Sequence, residues 1–181
     1  MSNYESIGFI TKDTVIIQTF LCTERMINCI TLYPGNFYRI NKGVLNIQLV
    51  DQENGMVIKK WEYDVSRITL DQAIILKYDF YKQYDDMKGK IYKLVISGEC
   101  LEDGTTLTLF KNLSDNAYDN TELWLDGVIQ EGTLKCKVSG VSDKVYYGMV
   151  KVLIYLYLLI GAETAWKLHM SCFRKNREIK I

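Results

Sequence analysis

Apolar and polar residues alternate with a period of two through much of residues 15–138, the pattern of strands that bury one face and wet the other. The first such stretch is 15–20 and the second 26–33, stopped by the turn cluster Pro34-Gly35-Asn36. Leu45, Ile47 and Leu49 alternate with Asn46, Gln48 and Val50; Asn54-Gly55 then predicts a hairpin turn, and residues 57–63 return as the partner strand. That returning strand carries Trp61 and Tyr63 on one face and Lys60 and Glu62 on the other. Further strands are predicted over 74–80, 91–97, 105–110, 122–125 and 133–138, with turns at Asp126-Gly127 and Glu131-Gly132 and a short helical turn within 66–71.

Eight or nine short strands without a helical crossover between them predict an all-β fold, an antiparallel jelly-roll-like β-sandwich over residues 8–142. After Ser142-Asp143-Lys144 the pattern changes. Residues 145–170 predict a hydrophobic helix, and 171–181 a basic tail. A bilayer span takes about 20 apolar residues, and the window 146–166 reaches that length if Lys151 and Glu163 sit toward its ends, where a charge costs less than at the centre. Tyr146, Tyr147 and Trp166 then form two aromatic belts with Lys151 at the interface, and Arg174, Lys175 and Arg177 hold the C-terminus in the cytoplasm. The expected location is a cell membrane with the β-domain extracytoplasmic. The competing reading of the same segment is a core or interfacial helix, which still requires another hydrophobic surface to cover it.

Charge narrows the function. The 22 Lys and Arg balance the 22 Asp and Glu, so no overall field draws in nucleic acid. The balance hides a basic tail behind an acidic β-domain. The start of the chain has neither a basic nor an apolar signal-peptide region; with a C-terminal span, the chain is expected either to insert with its N-terminus outside or to be a piece of a longer protein.

Chemistry is sparse. Five cysteines (Cys22, Cys29, Cys100, Cys136 and Cys172) form no CxxC pair and meet a single histidine, His169, which disfavours structural zinc and predicts small buried thiols. Disulfides Cys22–Cys29 or Cys100–Cys136 remain open in an oxidising compartment. Asp51, Glu53, Asp64, Asp71, Asp85 and Asp86 fall in turns or on wet faces with no catalytic pairing, so no enzyme is expected. No cofactor is expected either. Calcium has candidate oxygen ligands at Asp85-Asp86, Asp115-Asn116 and Asp119-Asn120, but their spacing is not that of a calcium loop, and Glu102-Asp103-Gly104 reads as a turn. Aromatics near strands and loops (Trp61, Tyr63, Tyr81, Tyr84 and Trp124) offer faces on which a sugar ring could stack, against the commoner use of such rings in a core.

The order of features from Gln18-Thr19-Phe20, through Arg39-Ile40-Asn41-Lys42-Gly43-Val44-Leu45-Asn46-Ile47-Gln48-Leu49-Val50-Asp51 and Asp64-Val65-Ser66 with Leu70-Asp71, to Lys90-Ile91-Tyr92-Lys93-Leu94-Val95-Ile96 covers a little over half the chain. It resembles a carbohydrate-binding-module-like jelly-roll domain in the outward-facing loops of bacterial multi-pass membrane proteins that assemble cell-surface glycans. The resemblance implies a helix directly after the last strand, as at Tyr146. It also implies a preceding helix and many further spans, which this sequence lacks, so glycosyltransferase activity is not carried over. The expected role is a non-catalytic extracytoplasmic binding or accessory module, partnered by the membrane and by a surface glycan or another membrane protein. The alternatives are a structural, membrane-anchored interaction domain and, behind it, a sugar-acting enzyme.

Overall fold

In the computed structural model the alternation at 44–51 becomes strand β5, where Leu45, Ile47, Leu49 and Asp51 are buried and the residues between them are partly exposed. The structure describes residues 4–69, 72–78, 86–99, 107–113 and 121–178; within the C-terminal helix, side chains are described to residue 167 and at His169. The chain divides into two units, Met1–Val141 and Ser142–Ile181.

The first unit is mostly β, and every described strand pair is antiparallel. Its strands are β1 (Tyr4–Ser6), β2 (Val15–Leu21), β3 (Met26–Leu32), β4 (Pro34–Gly35), β5 (Val44–Asp51), β6 (Val57–Asp64), β7 (Ile74–Lys77), β8 (Ile91–Glu99), β9 (Thr108–Asn112), β10 (Leu123–Leu125), β11 (Val128–Gln130), β12 (Thr133–Leu134) and β13 (Cys136–Val141). Among the described residues, six of them form one sheet in the order β11-β10-β2-β8-β5-β6. A second sheet runs β1-β9-β12 with β4 also on β9, and a third runs β13-β3-β7.

One row of the six-stranded sheet shows why this register is chosen. Leu125, Ile16, Ile96, Ile47 and Trp61 are cross-strand neighbours across five strands. Ile16, Ile96 and Ile47 are wholly buried there, each contributing roughly 1.5 to 3 kcal/mol of transfer free energy. A slip of one residue would turn that whole row to water. Buried residues from all three sheets, among them Ile30, Leu32 and Leu76 from the third and Leu109 and Leu134 from the second, join the same hydrophobic cluster.

Among the described residues, two side chains hydrogen-bond from one sheet to another. The Trp61 indole N–H at the β6 edge donates to the Lys77 carbonyl on β7 at 2.8 Å. Gln18 on β2 accepts from the Leu134 amide on β12.

Several expected boundaries shift. Pro34-Gly35, read as a turn from sequence, pairs with Leu109 and Thr108 as strand β4, which moves the turn to residues 36–39. Gly35 is suited to this place because a Cβ there would meet the Phe110 ring at 3.0 Å. The strand expected over 133–138 is split at Lys135, where the chain passes from the second sheet to the third. Strands β1 and β11 have too few residues to show a period and were not foreseen; β1 also precedes the expected domain start at residue 8. The hairpins at Asn54-Gly55 and Asp126-Gly127 form as read, Asp126 and Gly127 both taking the positive φ that tight hairpin turns demand. The helical turn is Val65–Arg67, capped by Asp64, whose carboxylate accepts from the Ser66 amide.

The second unit is a single helix, α1 (Asp143–Glu178). It continues through most of the segment expected to be a separate tail. At 1.5 Å per residue its 36 residues make a rod of about 54 Å, and residues Asp143–Lys167 are long and apolar enough to cross a membrane.

Candidate functional site

Among the described residues, the aromatics singled out from sequence, Trp61, Tyr63 and Trp124, do not gather into one surface. Trp61 and Tyr63 are half-buried on β6 and pack against the core. The indole N–H of Trp61 is already engaged at Lys77, so its role is to close the edge of the core. Trp124 lies on β10 in the row Ile129, Trp124, Ile17 and Val95, on the opposite face of the sheet. Its indole N–H donates to the Glu122 carboxylate at 3.1 Å. Four strand steps separate β10 from β6, about 19 Å at the usual spacing, so Trp61 and Trp124 cannot contact one sugar ring. Tyr81 and Tyr84 lie outside the described residues.

Another set of rings does converge. In the turn Asn36 to Arg39, the Arg39 amide donates to the Asn36 carbonyl at 3.2 Å, and the two central residues, Phe37 and Tyr38, have φ of 54° and 59°. Bulky residues in this left-handed region cost roughly 1 to 2 kcal/mol each, and asparagine or glycine is the usual occupant. The turn is held from below. The Tyr38 amide donates to the Asn36 side-chain oxygen at 3.1 Å, while wholly buried Asn41 accepts from the Arg39 guanidinium at 3.3 Å and donates to the Asn36 carbonyl. Phe37 and Phe9 have ring centroids 5.1 Å apart in a tilted pair, and the Arg39 guanidinium lies 5.7 Å and 5.3 Å from the Phe9 and Phe37 centroids.

The result is an apolar surface with a cation beside it. Phe9 is 59% exposed, Tyr38 87% and Ile40 77%. Strain kept at exposed rings is the kind of departure that points to use of those rings. Sequence reading missed this surface because it ended its turn at Asn36; the available signal was that Phe37, Tyr38 and Ile40 follow a turn cluster without belonging to any alternating strand.

The carboxylates serve turns and ion pairs. Asp51 accepts from the Glu53 amide at 2.8 Å, and Asp64 from the Ser66 amide at 2.9 Å; the Ser66 hydroxyl first, then this amide and Arg67, hold the Asp64 carboxyl below its ordinary range. Asp86 accepts from the Lys88 amide at 3.0 Å and pairs with Arg25 at 3.2 Å. Asp71, Asp85, Asp115, Asn116, Asp119, Asn120 and the 102–104 turn lie outside the described residues. Among the described residues no three His, Cys, Asp or Glu side chains converge on a metal position.

Cys22, Cys29 and Cys136 are free thiols, so the Cys22–Cys29 bridge left open by the sequence is not formed; Cys100 and the Cys172 side chain lie outside the described residues. Burial pushes the Cys22 and Cys136 thiols up to about 11. At pH 8 only about one thiol in a thousand is then ionised, against roughly a quarter for an ordinary cysteine. Iodoacetamide should therefore modify both about a hundredfold more slowly than glutathione in the folded chain, with the rate climbing toward pH 11. Rapid labelling of either at pH 8, read by peptide mass spectrometry, would contradict this burial.

On α1 the residues expected at a membrane interface occupy one continuous helix. Tyr146 and Tyr147 meet edge to face at 5.7 Å, Trp166 stands 64% exposed near His169, and Lys167 pairs with Glu163 at 2.7 Å. Lys151 is exposed. The side chains of Arg174, Lys175 and Arg177 lie outside the described residues. Every residue from Val152 to Ile160 is more than half exposed, and nine consecutive positions cover all sides of a helix. The chain matches no protein-family model and no curated protein.

Proposed function

We propose that this chain is a membrane-anchored, non-catalytic binding module that presents its β-domain outside the cell to a surface glycan, as an accessory to bacterial glycan assembly. In this reading the sheets stack as a jelly-roll-like sandwich around their shared core, α1 spans the bilayer, and the basic C-terminal residues stay in the cytoplasm. The observation that carries the ligand assignment is the strained turn with Phe9, Phe37, Tyr38 and Arg39. Flat exposed rings take the C–H face of a sugar, and a guanidinium held beside them donates to its hydroxyls.

The test uses the full chain in detergent or nanodiscs, a glycan array to find a ligand and calorimetry to measure it. Tyr38→Gly should lower affinity about tenfold while raising stability by about 1 kcal/mol, because glycine relieves the positive φ and little packing is lost at so exposed a ring. Gain of stability with loss of binding is not the result of a merely structural ring. Affinity that ignores Tyr38→Gly and Phe37→Ala but falls with Trp124→Ala would place the ligand on the outer face of the six-stranded sheet instead. Absence of binding to any glycan would sink the sugar assignment and leave a membrane-anchored interaction domain, with the row Ile129, Trp124, Ile17 and Val95 as its apolar surface.

A further inference from the structure

A second concave site lies where the chain crosses from the second sheet to the third. Tyr4 on β1, Asn112 on β9 and Thr133 on β12 are cross-strand neighbours in one row, and Lys135 follows Thr133 by two residues on the same strand path. Tyr33 precedes β4 on the other side. Together with Lys137 they line an open pocket of about 360 Å³, in the range of small-molecule sites. Gly132, at φ of 89°, lets the chain pass against the Asn112 carbonyl, where a Cβ would collide; this brings β12 close enough to form the wall.

The charge of this pocket is unbalanced. The Lys135 ammonium lies 3.9 Å from the Tyr4 ring centroid and 5.2 Å from that of Tyr33. Two electron-rich faces thus hold it at the wall, so much of the entropy of ordering a lysine is already lost before a ligand arrives. Lys137 adds a second, exposed cation. Among the described residues no Asp or Glu lines the pocket, and neither lysine is ion-paired. The neighbouring pair Lys111 to Glu5, at 3.3 Å, marks the contrast, since that lysine is neutralised.

We infer that the pocket between Tyr4, Tyr33, Lys135 and Lys137 accepts the oxyanion of an acidic sugar, a carboxylate or phosphate on a small polyhydroxy ring. The two ammonium groups supply charge-assisted hydrogen bonds to the oxyanion, and the Thr133 hydroxyl offers a donor and an acceptor for a sugar hydroxyl. The sugar part of this assignment rests on the proposed function; the oxyanion part does not. Residues 4–9 supply Tyr4 to the pocket and Phe9 to the aromatic turn, and residues 33–39 supply Tyr33 to the one and Phe37 to the other, along β1 and β4, which both pair with β9. A glycan with an acidic residue can therefore use both.

The experiment titrates the full chain in phosphatidylcholine nanodiscs, which carry no net lipid charge, with glucuronate, glucose 1-phosphate, inorganic phosphate and glucose. Binding is followed by calorimetry and by NMR shifts of the Thr133 and Lys135 amides. Glucuronate or glucose 1-phosphate should bind at least about tenfold tighter than glucose, and the tightness should fall as salt rises. The double variant Lys135→Met with Lys137→Met should lose that preference. The Thr133 and Lys135 amide shifts report on this pocket and not on the aromatic turn, which separates failure of this site from failure of the turn. Because Lys135 also packs on Tyr4, thermal unfolding checks that the variant folds, and Lys137→Met alone gives a smaller loss at an exposed position. Inorganic phosphate binding as well as the sugar phosphate would overturn the sugar part; glucose binding as well as glucuronate, or no shift with either anion, would overturn the site.

Discussion

If α1 spans the bilayer as proposed, Leu156→Arg is expected to release the chain from the membrane. Leu156 is near the middle of the window 146–166 and is half exposed. A central arginine costs about 2.5 to 3.5 kcal/mol of insertion free energy, and the lost leucine adds about 0.3 to 0.6. A span that already tolerates Lys151 and Glu163 has little surplus, so a penalty of roughly 3 kcal/mol shifts the inserted fraction by about a hundredfold. Carbonate extraction and protease protection would read this directly. Leu158→Arg, about 200° further round the helix, should do the same. If only one of the two releases the chain, α1 lies on the surface with a wet side and does not cross. Lys151→Leu should strengthen insertion, and none of these changes should alter the unfolding of the β-domain.

The helix was legible in the sequence because membrane insertion depends on composition over about twenty positions, and no contact elsewhere in the chain is needed to state it. The strands were legible for a related reason. Ile47 and Leu49 face the core because a period of two leaves them no alternative, and Asn54-Gly55 fixes the hairpin locally. What was not legible depends on partners far along the chain. Pro34-Gly35 becomes a strand only because β9, more than seventy residues later, lies beside it. Strand β1 likewise exists only through Asn112, Lys111 and Phe110.

The candidate sites show the same division. In sequence, Trp61 on an edge strand looks the same whether it is covered or bare; its bond to Lys77 depends on how β6 meets β7. The Phe9 and Phe37 pair joins the segments that follow β1 and β4, and the pocket at Lys135 joins four separate segments. Neither leaves a spacing that could be read beforehand. The positive φ of Phe37 and Tyr38 runs against local propensity, and a conformation imposed by the buried bonds of Asn36 and Asn41 is invisible to any argument from propensity.

Gln18→Leu is expected to be the most damaging single polar substitution in the β-domain. The strand period puts Gln18 between Ile16 and Phe20 on the core side, where it is 2% exposed. Its amide nitrogen donates to the Thr19 carbonyl at 2.8 Å and the Glu122 carbonyl at 3.2 Å, and its oxygen accepts from the Leu134 amide. Leucine fills nearly the same space but leaves the Leu134 N–H buried without an acceptor, and each such orphan costs about 1 to 3 kcal/mol. The Glu122 carbonyl suffers less, since it still accepts from the Thr19 amide at 2.9 Å. A total of about 2 to 4 kcal/mol follows, a large share of what a domain of this size holds in reserve. The loss should be local before it is global. Strand β12 has only two residues, and Gln18 ties it to the six-stranded sheet, so the Leu134 amide should exchange with deuterium at least about tenfold faster in the variant. Trp61→Phe is the comparison: it removes one bond to a less buried carbonyl and should cost about 1 kcal/mol. Urea unfolding that finds Gln18→Leu no worse than Trp61→Phe would mean that the sheets are held together by their apolar core alone.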